Sequence, residues 1–145
     1  MTKPVIDASV AIKWVVEEEG TAQALALLRR AKLSAPDFLF AECANALWKK
    51  VRKNEFTNGE ALVAAQLLES TEIELVSTRA LLRAATQIAV ELNHPAYDCL
   101  YLALAMAHHI DFATADDRFV QIVRQARRGS FSHAVISLAE AAAKL

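Results

Sequence analysis

Residues 112–116 read Phe112-Ala113-Thr114-Ala115-Asp116, a short apolar strand that runs into an acid, with Asp116 placed to cap a helix reaching about Arg127. The same arrangement opens the chain. Val5 and Ile6 make a very short strand ending at Asp7, and Ser9 offers an N-cap to a helix carrying Val10, Ala11, Trp14 and Val15. Parallel strands need helical crossovers, and in open parallel sheets ligands bind beyond the carboxyl ends of the strands. Two strands that both end in an acid and both feed a helix therefore predict an α/β fold whose acids face one crevice.

Reading outward, Thr21 caps a second helix through Ala31 with Leu25, Leu27 and Leu28 on its buried side, and Pro36 sits where a third helix begins. That third helix covers about Phe38 to Lys53. Thr57 and Glu60 have capping-box spacing and open a fourth helix to about Ser70, after which Ile73, Leu75 and Val76 form a second strand. A fifth helix from about Ala80 to Leu92 stops at Asn93-His94-Pro95, and a very apolar sixth runs from Ala96 to His109. Ala134-Val135-Ile136 is a last short strand, and an Ala-rich helix follows from Ser137. The expectation is a short parallel sheet flanked by helices, within one helix-rich domain covering residues 1–145.

Composition agrees. With 54% hydrophobic and 23% charged residues, the chain can bury enough apolar surface to offset the entropy of ordering it. Three Gly and three Pro leave room for little but helices joined by short connections. Cys43 and Cys99 form neither a disulfide framework nor a CxxC pair, and the first residues lack the apolar stretch of a signal peptide, so a reducing cytoplasm is the expected location. The longest apolar run, Cys99 to Ala107, is far short of the roughly 20 residues that span a bilayer. A formal net charge of −1 excludes a strongly basic, whole-surface attraction to nucleic acid, while a local basic rim stays open.

Two further acids lie in apolar surroundings. Asp98 stands in Ala96-Tyr97-Asp98-Cys99-Leu100-Tyr101-Leu102-Ala103, where an unpaired buried carboxylate would cost several kcal/mol and so calls for a cation, a donor network or protonation. Glu42 stands in Phe38-Leu39-Phe40-Ala41-Glu42-Cys43-Ala44-Asn45, and Asn45, at i+3 on the same helix face, is placed to orient it. Mg²⁺ and Mn²⁺ prefer hard oxygen ligands and keep several waters, so a few converging carboxylates suit them. Such ions polarise phosphoryl oxygens and activate water, which points to phosphodiester hydrolysis.

Val5-Ile6-Asp7-Ala8-Ser9, Ala41-Glu42-Cys43-Ala44-Asn45, Tyr97-Asp98-Cys99-Leu100-Tyr101 and Thr114-Ala115-Asp116 together resemble a PIN domain. Their order and spacing resemble the VapC-type ribonuclease toxins of bacterial toxin–antitoxin pairs, over nearly the whole chain and including Lys13-Trp14 and Ala35-Pro36-Asp37. The resemblance implies a Mg²⁺- or Mn²⁺-dependent endoribonuclease, a homodimer, held inactive by a cognate antitoxin. It implies Asp7 and Asp98 as the principal metal ligands, Glu42 and Asp116 as the remaining catalytic acids with Asp116 also a ligand, and Ser9 and Thr114 as their hydrogen-bonding supports. Relatives often carry Gly where this chain has His109-Ile110-Asp111, and Asp117 adds an acid beside Asp116.

Each feature has a plainer reading. Asp116 as a helix cap, Asp7 as a turn residue and Glu42 in a salt bridge would need no chemistry. Glu17-Glu18-Glu19 reads as a solvated run, Asp37 as a first-turn acid favoured by the helix dipole, and Glu69, Glu72 and Glu74 as surface charges. Cys43 and Cys99 read as small buried hydrophobes, and the four histidines lack zinc-like spacing. Lys49, Lys50, Arg52 and Lys53 serve as dipole partners or phosphate contacts, and Arg118, two residues from Asp116, is the better phosphate candidate. Trp14 and Trp48 suit the core, a base-stacking platform or an antitoxin groove, with core burial the default. A solitary PIN-fold nuclease and a non-catalytic PIN-fold interaction module are the alternatives to a toxin. A phosphatase nucleophile motif would want Asp-x-Asp where this chain has Asp7-Ala8-Ser9.

Overall fold

Strand β1, Val5–Ile6, is only two residues long and both are fully buried, because the sheet is built outward from it on both sides. The computed structural model describes residues 1–126 and 130–145. β1 pairs in parallel with β2 (Ser34–Pro36) on one edge and with β4 (Phe112–Thr114) on the other. β3 (Glu74–Val76) lies outside β2 and β5 (Val135–Ser137) outside β4, giving the all-parallel order β3-β2-β1-β4-β5. The chain thus winds one way from β1 to β3 and the other way from β4 to β5. The switch point falls between β1 and β4, where an open parallel sheet leaves a crevice beyond its carboxyl ends.

β2 was not expected. Ser34, Ala35 and Pro36 have little strand propensity, and Pro36 reads as a helix start. Pairing creates the strand: the Ser34 amide donates to Pro4, the Glu74 amide to Leu33 and the Asp37 amide to Val76. Asp37 also departs from its reading as a first-turn acid of the third helix. Its Oδ1 accepts from the Thr78 hydroxyl at 2.6 Å and the Thr78 amide at 3.0 Å, tying the end of β2 to the start of another helix, α5 (Thr78–Leu92).

Helix α1 (Ala8–Ala11) continues as a 3-10 turn over Ile12–Trp14, and its N-cap is Asp7 rather than the expected Ser9. α2 (Thr21–Arg30) follows Gly20, whose φ of 88° is the left-handed conformation glycine adopts without a Cβ penalty. Thr21 is therefore the first helical residue instead of the cap. α3 (Leu39–Arg52) and α4 (Asn58–Glu69) follow, the latter opened by the expected Thr57–Glu60 capping box. α6 (Ala96–His108) buries every residue from Cys99 to Ala105 and is the central helix. It ends at His109, which takes a left-handed φ of 54°, the helix-terminating conformation that glycine adopts most readily. α7 (Asp117–Gln125) is capped by Asp116, and α8 (Leu138–Ala143) by a Ser137–Glu140 box. Arg127 and Arg128 lie outside the described residues. Among the described residues no helix is long and apolar enough to cross a membrane.

Candidate active site

Because β1 ends at the switch point, Asp7 leaves the sheet directly into the crevice, yet its side chain is buried, with 5% of the residue exposed. Oδ1 accepts from the Ser9 hydroxyl at 2.6 Å and the Val10 amide at 3.3 Å, and Oδ2 accepts from the Thr114 hydroxyl at 2.7 Å. The Ala115 amide donates to Ser9 Oγ at 3.0 Å and the Asp116 amide to Thr114 Oγ1 at 3.1 Å. Each hydroxyl spends its one proton on Asp7 and receives a backbone proton in return. A turn after β1 and a strand end in β4 are thereby locked around one carboxylate. Burial still outweighs these donors: burial first, with repulsion from Asp98 and Glu42 adding to it, brings the Asp7 carboxyl up to about 7.

Glu42 projects from α3 and is half-buried. It accepts a hydrogen bond from the hydroxyl of Tyr101, a fully buried side chain of α6. Burial raises its carboxyl above the ordinary range, the Tyr101 bond opposes this, and Asp98 raises it again. Asn45 is exposed and makes no hydrogen bond to Glu42, so Tyr101 occupies the orienting role expected of Asn45. A phenol in the apolar stretch from Cys99 to Ala105 is itself a signal, since a buried tyrosine hydroxyl needs a partner.

Asp98 is less enclosed than its apolar neighbours suggest. It lies in the first turn of α6 with 29% of its side chain exposed, and Oδ2 is 2.7 Å from His94 Nε2. Zinc-like spacing is absent around His94, yet its ring is the partner of Asp98. Its i,i+4 spacing to Asp98 was the available signal, hidden by Pro95, which separates the two helices. The rings of His94 and Phe119 lie 4.9 Å apart, Phe119 and Phe112 6.1 Å, and Phe112 and Tyr101 5.5 Å. One aromatic chain therefore carries, at its two ends, the partners of Asp98 and of Glu42.

Asp116 sits at the exposed rim, and its Oδ1 caps α7 by accepting from the Phe119 amide at 3.1 Å. Asp117 and Arg118 are exposed beside it in the first turn of α7. The structure thus brings Asp7, Glu42 and Asp98 within mutual repulsion and sets Asp116 next to them through Thr114.

Among the described residues, no Lys or Arg forms an ion pair with any of these four acids. Nor do three potential ligands stand close enough to make a ready-formed metal cage. Repelling oxygen donors without a Lys or Arg among the described residues to pair them fit a hydrated Mg²⁺ or Mn²⁺, which needs only a few carboxylates and retains water. The thiols beside them do not compete as ligands: Cys43 is buried and pushed up to about 12, and Cys99 is buried and pushed up to about 11, both by burial first.

A cleft of about 610 Å³ opens between α1 and α3, with Ser9 and Glu42 in its wall beside Phe38, Asn45, Lys49 and Tyr97. Neither tryptophan lines it. Trp14 is half-buried and donates from Nε1 to the Ala24 carbonyl at 2.9 Å. Trp48, contrary to its core reading, is 53% exposed, with the Arg52 guanidinium 4.7 Å from its ring centroid. Of the lysines on α3, Lys50 pairs with Glu55 and Glu18, so Glu18 is not merely solvated.

A parallel α/β sheet with its acids at the switch point defines the class. The model of the PIN domain family matches residues 5–125, and the chain belongs to that family. PIN domains are generally nucleases. Among solved structures, the protein PAE2754 from Pyrobaculum aerophilum is similar, with a TM-score of 0.70 at 17% identity over 99% of this chain and 94% of that one. VapBC2 from Rickettsia felis, solved bound to a DNA fragment from its promoter, matches with a TM-score of 0.61 at 13% identity over 83% of this chain and 93% of that one. At these identities the likeness is one of fold. No curated protein matches the chain.

Proposed function

We propose that this protein is an endoribonuclease that hydrolyses RNA phosphodiester bonds with Mg²⁺ or Mn²⁺, and that it is the toxin of a type II toxin–antitoxin pair. The observation that carries the reading is the gathering of Asp7, Glu42 and Asp98, in which Asp98 raises the carboxyls of Asp7 and Glu42 and Glu42 that of Asp7, with no Lys or Arg among the described residues paired to any of them. Asp7, Asp98 and Asp116 are the ligands in this reading. Ser9 and Thr114 fix Asp7 in orientation, His94 holds one oxygen of Asp98, and the α7 cap leaves Asp116 one oxygen to offer. Glu42, pinned by Tyr101 and raised by burial, is placed to accept the proton of an attacking water. A bound divalent ion would neutralise the phosphate and acidify that water.

The RNA substrate rests on the resemblance to VapC-type toxins. Pairing with an antitoxin is supported by the shared fold with the VapBC2 toxin–antitoxin structure. A homodimer is supported by the exposed apolar side chains Leu62, Val63 and Leu67 on α4, and the proposed site of action is the cytoplasm, where a toxin of this class would meet RNA.

Purified protein should cleave RNA in Mg²⁺ or Mn²⁺, stop in excess EDTA, and leave a 5′-phosphate and a 3′-hydroxyl. Undiminished cleavage in EDTA, by protein shown free of contaminating ribonuclease, or a 2′,3′-cyclic phosphate product would overturn the metal-dependent reading. Cleavage of the matching DNA at equal rate would overturn the choice of RNA.

A further inference from the structure

Tyr97 immediately precedes Asp98, and the cleft between α1 and α3 begins at its ring. The side chain is 62% exposed, unusual for a large aromatic next to a catalytic acid. One face is covered: the Phe38 ring lies 5.5 Å away, centroid to centroid, inclined by only 12°. Phe38 is itself packed against the core, so it fixes the plane of Tyr97 and leaves the outer face open.

Farther into the cleft, α3 presents Glu42, Asn45 and Lys49 at i, i+3 and i+7, which puts all three on one helix face. About 10 Å of helix separates the acid from the lysine. Asn45 makes no hydrogen bond to any described residue, and Lys49 forms no ion pair with one. An unused amide and an unused cation therefore continue the line that starts at the catalytic carboxylate.

We infer that this cleft is a nucleotide subsite of the nuclease: the base beside the scissile phosphate stacks on Tyr97 backed by Phe38, Asn45 hydrogen-bonds to that nucleotide, and Lys49 takes the next phosphate. The inference rests on the nuclease reading proposed above. A flat aromatic face, an amide and a cation in sequence match the three recurring parts of a single-stranded nucleic acid. Ala8, Ile12, Ala41 and Ala46 also line the cleft, and it is the open ring face in line with an unpaired amide and an unpaired cation that favours a nucleotide over an apolar peptide. Because net charge is −1, affinity has to come from local contacts of this kind rather than from a broad positive field.

The test is steady-state cleavage of a short end-labelled single-stranded RNA in Mn²⁺ by wild type, Tyr97→Ala, Tyr97→Phe and Lys49→Ala. Loss of one base stack predicts a KM about 5- to 100-fold higher for Tyr97→Ala, with the loss falling on KM rather than kcat. Tyr97→Phe, which keeps the ring, recovers most of it. An abasic nucleotide beside the cleavage site should impair wild type by the same factor and Tyr97→Ala no further, a result independent of how well the alanine variant folds. Lys49→Ala should reduce the salt dependence of binding by about 0.7 in log–log slope.

An unchanged KM in Tyr97→Ala with cleavage intact, or equal sensitivity of both proteins to the abasic substrate, overturns the subsite and leaves the nuclease reading standing. No metal-dependent cleavage by wild type overturns both. If Tyr97→Ala instead keeps its KM for RNA but escapes inhibition by an antitoxin, the cleft belongs to a protein segment.

Discussion

Asp7 is pulled in opposite directions by its surroundings, and the balance has a measurable consequence. Three donors favour its ionised form while burial and two neighbouring acids disfavour it, leaving the folded carboxyl about 7 against an ordinary 3.8. The folded, metal-free protein therefore holds the proton more tightly than the unfolded chain. The associated stability is fully present below about pH 4 and is lost as pH rises through 7, a change of about 4 kcal/mol at most. Metal-free protein should accordingly melt at a lower temperature at pH 8 than at pH 5.5. Asp7→Asn should flatten that slope, and Mn²⁺ should restore the wild-type melting temperature at pH 8. A metal-free melting temperature that is flat or rises over this interval would contradict the account. Residue identity alone could suggest the four acids, since each interrupts an apolar stretch or ends a strand. It could not supply Tyr101 as the partner of Glu42, because that contact joins α3 to α6 across 59 positions, whereas Asn45 was visible simply as an i+3 neighbour.

At the scale of elements, Asp116 has an observed role and a proposed one that substitution can separate. As the N-cap of α7 it satisfies the Phe119 amide, and in the proposed function it is also a metal ligand. Asp116→Ala should lose about 1 kcal/mol of stability together with activity, whereas Asp116→Asn should keep the cap and lose only activity. Urea unfolding beside a cleavage assay separates them, and equal stability of the two variants would remove the cap from the explanation. The C-terminal end of α6 gives a complementary case. His109 holds a left-handed φ of 54°, so His109→Gly should relieve backbone strain and raise stability by about 0.5–1 kcal/mol. A lower urea midpoint would show that the imidazole contributes more than the strain costs. Helices were legible in the sequence: α4 announces itself by its capping box, α6 by its apolar run and α8 by its Ala-rich composition, whereas the Ser137–Glu140 box that opens α8 was not read. β2 was not, because Ser34, Ala35 and Pro36 become a strand only through partners on β1 and β3.

For the whole molecule, the decisive property is the order β3-β2-β1-β4-β5, since only adjacency of β1 and β4 places Asp7 beside Thr114 and Asp116. Strands ending in acids announced the crevice but not the neighbour relations, which depend on how the helices cross over the sheet. The central claim is that these acids are gathered at a cost to the fold because they are needed for cleavage. Asp98 tests it best. It repels Asp7 and Glu42, and its hydrogen bond to His94 survives replacement by an amide that can still accept. The measurement is thermal unfolding of Asp98→Asn without metal, run beside Mn²⁺ binding and RNA cleavage on the same preparation. The account predicts a melting temperature equal to or above wild type, weakened Mn²⁺ binding and no cleavage, whereas an Asp98→Asn protein that is less stable than wild type and still cleaves RNA would contradict it.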